Sequence, residues 1–138
     1  MASLSIAEAP LMPVNVVLVH DEPDFLSAAA EALREAGHDV SVFRDPLTAL
    51  DKLEVHRTEV LVSCLKYAPG LPHGISLARM VRYRHPKTKV IFTAELKDAP
   101  YTEGIGEFLP SPVDIARLVA TVDRLTHRAG EIATPEPC

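Results

Sequence analysis

One stretch, EVLVSCLKYAPGLPHG at residues 59–74, decides the fold of this chain. Its first half is a short apolar run that ends at Cys64, and its second half is a loop rich in proline and glycine. A short apolar run bounded by turn residues is typical of a strand that is buried on both faces of a parallel sheet. The stretch therefore predicts a central strand at Val60–Cys64, followed by a stiff, exposed loop suited to recognition.

Strand-like and helix-like segments alternate on both sides of this stretch. Helix signals follow the strands: proline suits the first helical position at Pro23 and Pro46, and glycine suits the helix end at Gly37. Alternation at this spacing predicts an α/β fold, a doubly wound five-stranded parallel sheet with helices on both faces. The second helix is expected to turn three leucines inward, Leu47, Leu50 and Leu53. The predicted strands are Val14–Val19, Asp39–Phe43, Val60–Cys64, Lys89–Thr93 and Glu107–Leu109.

The last two helices carry specific expectations. Between the fourth and fifth strands the chain contains Pro100, Gly104 and Gly106. These residues lower helix stability, so the fourth helix should be short or irregular. The last helix should be capped by the Ser111 side chain, with Pro112 at its first position.

Length, composition and charge limit the possible domain organisation and the possible classes of partner. The chain has 138 residues, of which 47% are hydrophobic, and a formal net charge of -5. This length suits one domain, expected at residues 14–128, with a flexible segment at 1–13 and a disordered tail at 129–138. The negative charge argues against a nucleic-acid surface, and the basic residues from Arg79 to Lys89 are interpreted as a solvated helix face.

The cysteine count and the apolar runs bear on the cellular compartment. Two cysteines, Cys64 and Cys138, are too few for a disulfide framework and fit a reducing environment. The amino terminus has no basic region of the secretion type, and no stretch approaches the roughly 20 apolar residues of a membrane span. We therefore expect a stand-alone cytoplasmic protein that has no separate output domain and no contact with a membrane.

Polar and sulfur-bearing residues lie at the ends of the predicted strands. In an open parallel sheet, functional groups gather at the carboxyl ends of the strands. Because these ends meet at one edge of the sheet, their side chains should line one pocket. The residues expected there are His20, Asp21, Cys64, Thr93 and Ser111.

Three further motifs give most of the chain a resemblance to a known family. VHDEPD at 19–24 is similar to an acidic-pair motif with its first acid changed, VIFTA at 90–94 resembles a switch-threonine strand, and FLPSP at 108–112 resembles a lysine–proline pair without its lysine. In this order and spacing they resemble the receiver domain of response regulators, the CheY-like superfamily. The resemblance implies a flavodoxin-like (βα)5 fold with strand order 2-1-3-4-5, and a switching aromatic at Phe108.

The departures from that family fall on a single pocket. The resemblance implies an acid, a phosphate-accepting aspartate and a lysine where this chain has His20, Cys64 and Ser111. A cysteine cannot form an acyl phosphate, and Mg²⁺ prefers oxygen ligands. With Asp21 as the one remaining carboxylate, assisted by the carbonyl of Lys66, the pocket should bind Mg²⁺ weakly at most. We therefore expect a degenerate pseudo-receiver with no cofactor and no enzymatic activity.

Each pocket residue also has a purely structural interpretation. Cys64 is then a small packed apolar group, and Ser111 is a helix cap. Thr93 packs or caps, and Asp21 either binds a weak cation or caps the loop before Pro23.

Three functions are compatible with the sequence. The first is an interaction module that recognises a histidine kinase, a phosphotransfer protein, another response regulator or a second copy of itself as a homodimer. The second is a regulator that responds to oxidation of Cys64 or to a metal at His20. The third is a phosphoacceptor at an unusual residue such as Ser63.

Overall fold

The computed structural model describes residues 14–55, 57–67, 70 and 73–126, which form one five-stranded, all-parallel sheet with strand order β2-β1-β3-β4-β5. Helices cover both faces, so the predicted doubly wound α/β fold and its strand order are confirmed. The segments 1–13 and 129–138, which carry the predictions of flexibility and disorder, lie outside the described residues.

The strands are β1 (Asn15–Val19), β2 (Asp39–Phe43), β3 (Val60–Cys64), β4 (Lys89–Ala94) and β5 (Glu107–Pro110). The helices are α1 (Pro23–Glu35), α2 (Pro46–Val55), α3 (Gly74–Arg84), a 3₁₀ helix (Leu96–Thr102) and α4 (Ile115–Leu125).

The core has two halves, one on each face of the sheet. All five residues of β3 are buried, which explains why its sequence is a continuous apolar run rather than an alternating one. On one face α1 and α4 bury Leu26, Leu33, Leu118 and Val122 against the strands. On the other face α2 and α3 bury Ala49, Leu53, Leu77 and Val81. Each such leucine stabilises the fold by roughly 1.5–3 kcal/mol relative to an exposed position.

One of the three leucines predicted to face inward on α2 faces solvent instead. Leu53 is buried and Leu50 is half-buried, but Leu47 is 51% exposed. The helix contacts the sheet through Ala49 and Leu53, which lie about one turn apart, and Leu47 is about 200° around the helix from Ala49. The prediction for Leu47 is therefore wrong.

The helix between β4 and β5 is irregular, as the sequence predicts. It is a 3₁₀ helix that contains Pro100, and the amide of Glu103 at its end donates to the Pro100 carbonyl. Two large side chains on this short segment face solvent, Leu96 at 69% exposure and Tyr101 at 66%.

The start of α4 differs from the sequence prediction. The helix begins at Ile115, and its cap is Asp114, whose side chain accepts a hydrogen bond from the Ala116 amide at 3.0 Å. Ser111 cannot be the cap, because its amide donates to the Ala94 carbonyl at 2.8 Å and continues the pairing of β5 with β4. The predicted cap at Ser111 is therefore wrong by three residues.

The start of α3 packs directly against the end of β3. The amide of Gly74 donates to the Leu65 carbonyl at 2.8 Å, and the His73 side chain caps the helix by accepting from the Ile75 amide. A Cβ at Gly74 would overlap the carbonyl oxygen of Cys64. A glycine is therefore required here, because it lets the helix approach the strand end that carries Cys64.

The outer face of α3 is basic and solvated, as expected from the sequence. Arg79, Arg82 and Arg84 are exposed, and Arg82 donates to the Ile105 carbonyl at 2.8 Å. None of the described helices is long and apolar enough to cross a membrane.

Candidate functional site

The carboxyl ends of β1, β3, β4 and β5 open into one cleft of about 940 Å³. The cleft brings together all five residues that the sequence places at strand ends, and Lys66 lines it as well. Ser63 and Phe108 are not among the described residues that line it. The five are His20, Asp21, Cys64, Thr93 and Ser111.

Cys64 lies at the back of the cleft and is almost fully buried. Its side chain is a free thiol, and Sγ donates a weak hydrogen bond to the Lys66 carbonyl at 3.5 Å. Burial raises the pKa of the thiol to about 11. The sulfur is therefore protonated at neutral pH, and the reactive thiolate is scarce.

His20 is the second buried group of the cleft, and it is neutral. Its Nδ1 accepts a hydrogen bond from the Glu22 amide at 3.1 Å, and its ring packs on Phe25 with 4.5 Å between ring centroids. Burial lowers the pKa of the imidazole, although Asp21 and Glu22 act in the opposite direction. Asp21 Oδ1 lies 3.4 Å from Nδ1, but the contact is not an ion pair at neutral pH, because Nδ1 is already an acceptor.

Ser63 and Tyr67 form a hydroxyl pair beside the cleft, and no sequence pattern indicates a role for Tyr67. The Tyr67 hydroxyl lies 2.7 Å from Ser63 Oγ and 3.0 Å from the Val19 carbonyl oxygen. Ser63 Oγ also donates to the Cys64 carbonyl at 2.7 Å, and burial raises the pKa of Tyr67. The pair links the ends of β1 and β3, and it holds the Ser63 hydroxyl away from the cleft.

Thr93 faces the cleft from β4, where it pairs in register with Cys64 and Leu109. The residue is 1% exposed, and among the described residues its Oγ1 is the one buried side-chain oxygen or nitrogen without a hydrogen-bond partner. An unpartnered buried hydroxyl typically costs about 1–3 kcal/mol. Thr93 thus packs, as the structural interpretation predicted, but with its hydrogen-bonding capacity unused.

The cleft holds more carboxylates than the one predicted from the sequence at Asp21. Four others line it, and Asp98 is the most buried of them. Lys66 Nζ lies 3.9 Å from Asp98 Oδ2, so the positive charge of Lys66 already faces a carboxylate. Sequence reasoning missed Asp98 because it lies in the irregular segment, where no periodic pattern indicates which side chains point inward. The four additional carboxylates belong to Glu22, Asp24, Glu95 and Asp98.

The two remaining predicted residues, Ser111 and Phe108, lie on the cleft rim and in the core, respectively. Ser111 is an exposed residue on the rim of the cleft and brings no charge. Phe108 is half-buried, pairs in register with Phe92, and packs on the core half that α2 and α3 cover.

Three potential metal ligands meet in the cleft. One donor atom each from His20, Asp21 and Cys64 lies within 4.8 Å of the others, and no other such group occurs in the part of the chain that the structure describes. Mg²⁺ requires near-octahedral oxygen ligation, and only Asp21 of these three supplies oxygen. The donor set therefore does not fit the Mg²⁺ that the family resemblance implies.

The fold is shared with solved receiver domains. The receiver domain of the hybrid histidine kinase CckA superposes with a TM-score of 0.68 at 29% identity, covering 80% of this chain and 97% of that one. The Francisella response regulator 1452 receiver domain gives 0.73 at 24% identity, and the BeF3-activated DrrB receiver domain gives 0.74 at 22%. These cover 84% and 85% of this chain, and 98% and 100% of those domains. The described residues therefore have the fold of a response-regulator receiver (CheY-like) domain, which confirms the resemblance at the level of the fold.

The chain is also similar in sequence to part of several transcriptional regulators. The chain is 31% identical over 123 residues to the DNA-binding transcriptional regulator NtrC of Klebsiella pneumoniae, covering 86% of this chain and 26% of that protein. It is 28% identical over 128 residues to the transcriptional regulatory protein TrcR of Mycobacterium tuberculosis, covering 89% of this chain and 49% of that protein. The chain thus spans about a quarter of the NtrC length and about half of TrcR. No protein-family model matches the chain.

Proposed function

We propose that this chain is a receiver-like signalling module of the two-component type that acts by protein contact, without phosphorylation of an aspartate. The observation that carries the proposal is Cys64. Its thiol stands at the end of β3, where the resemblance requires the phosphate-accepting carboxylate, and it is buried with a pKa of about 11.

The groups around Cys64 also lack the means to assist phosphoryl transfer. Transfer depends on a metal ion and on a cation that neutralise charge as it develops on the phosphoryl oxygens. His20 is neutral and Ser111 carries no charge, and the Lys66 ammonium lies opposite Asp98. These three features together support the loss of phosphotransfer better than the thiol alone does.

The proposed partner is a histidine kinase, a phosphotransfer protein or another response regulator. The similarity to NtrC and to the receiver domain of a hybrid histidine kinase supports this class of partner. A contact surface is available on the 3₁₀ helix, where Leu96 and Tyr101 place two large side chains in solvent. Aromatic and apolar anchors of this kind are typical of protein interfaces.

Phosphorylation of Ser63 and oxidation of Cys64 receive less support as alternative functions. Ser63 is fully buried, and its hydroxyl contacts Tyr67 and the Cys64 carbonyl, so a phosphoryl donor cannot approach it without opening the fold. Oxidation of Cys64 would begin from a thiolate, which the raised pKa of the thiol makes scarce.

The test of the phosphorylation half of the proposal is intact-mass spectrometry. The protein is incubated with acetyl phosphate and Mg²⁺, beside the Ser63→Ala variant and a receiver domain that has its aspartate. We expect no phosphoryl adduct on either form of this protein and an adduct on the reference domain. An adduct that disappears in Ser63→Ala would instead support the unusual phosphoacceptor, and one that persists would refute the proposal.

The proposal that the protein acts by contact is tested by measuring its binding to purified sensor kinases and phosphotransfer proteins. Affinity for a true partner should be the same with and without acetyl phosphate. It should fall at least about tenfold in a Leu96→Ser/Tyr101→Ser variant, since loss of one interface anchor costs roughly 1–2 kcal/mol or more. Exchange of the exposed Met80 for serine on α3 is the matched control. Binding that requires acetyl phosphate would contradict the proposal.

A further inference from the structure

We propose that His20, Asp21 and Cys64 bind one thiophilic divalent cation, with Zn²⁺ as the best-fitting ion and Co²⁺ as its spectroscopic substitute. The inference goes beyond the proposed function, which needs no metal. It rests on the chemistry of the three donors, their geometry and an unpartnered hydroxyl in the same cleft.

The donor set matches what zinc selects. Imidazole nitrogen, thiolate sulfur and carboxylate oxygen are its usual ligands, and open zinc sites use three protein ligands with a fourth position left for water or another small molecule. Binding converts the Cys64 thiol to a thiolate and releases one proton to solvent. The thiolate and the Asp21 carboxylate then balance the two positive charges of the ion, so a formally neutral unit occupies the cleft.

The spacing of the donors is close to that of a tetrahedral site. His20 Nδ1 and Asp21 Oδ1 are 3.4 Å apart, and two such ligands on one tetrahedral zinc ion are separated by about 3.3 Å. All three donors lie within 4.8 Å, whereas sulfur and nitrogen on zinc are about 3.6 Å apart. An approach of about 1 Å by side-chain rotation completes the site, and no strand or helix has to move.

His20 offers an unprotonated nitrogen for this role. Its Nδ1 carries no proton, since it accepts the Glu22 amide hydrogen, and its ring packs on Phe25. To bind the ion, the imidazole turns away from the Glu22 amide toward Asp21 and Cys64. Glu22 is exposed, so water can hydrogen-bond its amide once the ring has turned. Asp21 is exposed as well, which leaves the ion a path into the cleft.

Thr93 supplies an independent indication that a polar ligand belongs in the cleft. The residue is 99% buried and lines the same cleft, and its buried hydroxyl has no partner among the described residues. A buried polar group without a partner is rare in native proteins and requires an explanation. A water or an anion in the fourth position of the metal would provide that partner.

The direct test is a Co²⁺ titration of the full chain carrying Cys138→Ser, which leaves Cys64 as its single thiol. Addition of Co²⁺ to the metal-free protein should produce a thiolate-to-cobalt charge-transfer band and tetrahedral d–d bands. Both should saturate at one equivalent of Co²⁺, and Zn²⁺ should remove both. In Cys64→Ser and His20→Asn the affinity should fall at least about tenfold, since even changes outside the ligand shell cause losses of that size. His73→Asn is the matched control, because this exposed histidine lies outside the cleft.

Absence of the charge-transfer band, or an equal affinity in the Cys64→Ser or His20→Asn variants, would overturn the inference. If either variant fails to fold, the parent protein still decides the matter. Zn²⁺ should then protect Cys64 from alkylation, as measured by the mass of the Cys64 peptide, and unchanged alkylation at saturating Zn²⁺ would overturn the inference. Mg²⁺ should neither produce protection nor compete. Failure of this test leaves the acetyl phosphate result untouched, so the two proposals are judged separately.

Discussion

At the residue scale, the side chain of Cys64 sets the chemistry of the cleft. Its Sγ is buried at the end of β3 and donates to the Lys66 carbonyl. Desolvation disfavours the charged thiolate, and no cation in contact with the sulfur offsets that effect among the residues described. In the metal-free protein, Cys64 is thus a packed thiol rather than a reactive one.

The first prediction concerns the labelling rate of Cys64. In the Cys138→Ser variant at pH 7, Cys64 should react with a thiol reagent at least about a hundredfold more slowly than a cysteine of ordinary pKa, because its thiolate fraction is smaller by about that factor. Because the pKa is raised, the rate should increase with pH up to about 11. Cys138 in the Cys64→Ser variant is the internal comparison. Labelling of Cys64 at the rate of a free peptide cysteine would contradict the packed state and would favour a redox sensor.

The second prediction concerns Tyr67, which joins two strand ends. Tyr67→Phe removes the hydroxyl that contacts Ser63 Oγ and the Val19 carbonyl, so it should lower the free energy of unfolding by about 1–2 kcal/mol. Tyr83→Phe is the control, because Tyr83 is 85% exposed and should change stability by less than about 0.5 kcal/mol. Urea unfolding of both variants gives the comparison. Equal stability in the two would show that the hydroxyl pair contributes nothing.

At the element scale, the residues at the helix and strand ends determine how α3, α4 and β5 are placed around the cleft. α3 can approach β3 because Gly74 has no side chain, and α4 begins after four residues, 111–114, that carry the chain away from β5. Ser111 remains tied to Ala94 by its amide and therefore lies on the rim of the cleft rather than on the helix.

The third prediction compares the two candidate caps of α4. Asp114→Ala should destabilise the protein by about 1 kcal/mol, because the Ala116 amide loses its acceptor. Ser111→Ala should change the free energy of unfolding by less than about 0.5 kcal/mol, because no side-chain cap is lost. Thermal or urea unfolding measures both. A larger loss of stability in Ser111→Ala than in Asp114→Ala would instead support the cap that the sequence predicts at Ser111.

The sequence predicted the elements well because their signals are strong and local. β3 is an uninterrupted apolar run, and helix starts at Pro23 and Pro46 follow from the fixed backbone angle of proline. Leu47 was misplaced because a helix with a leucine every third residue offers two overlapping apolar faces, and packing against the sheet selects one of them.

The cleft was predicted only in part, because some of its residues lie outside the regular strands and helices. Its five strand-end residues follow from the geometry of any parallel sheet, whereas Tyr67 and Asp98 reach it from irregular segments. Tyr67 comes three residues after the strand, and Asp98 lies in the 3₁₀ helix. No local pattern indicates where either side chain points, because each position depends on tertiary packing.

At the scale of the whole molecule, a receiver fold carries a cleft whose side chains differ from those that the resemblance implies. The sheet and its helices have the fold of a receiver domain. Three positions of the cleft hold His20, Cys64 and Ser111, where the resemblance implies an acid, a phosphate-accepting aspartate and a lysine. That the three differ together supports the proposal that the whole site has changed its function.

The most direct measurement rebuilds that pocket and follows phosphorylation by intact mass. Cys64→Asp alone should fail, because the new buried carboxylate would lie near Asp21 without a cation at position 111, and mutual repulsion would destabilise the fold near neutral pH. His20→Asp, Cys64→Asp and Ser111→Lys together restore a metal ligand, a nucleophile and a positive charge. With acetyl phosphate and Mg²⁺, this triple variant should gain one phosphoryl group, mapped to position 64. The unmodified protein should remain unlabelled, and the single and double variants should fail or react far more slowly. Efficient labelling of the unmodified protein would contradict the account.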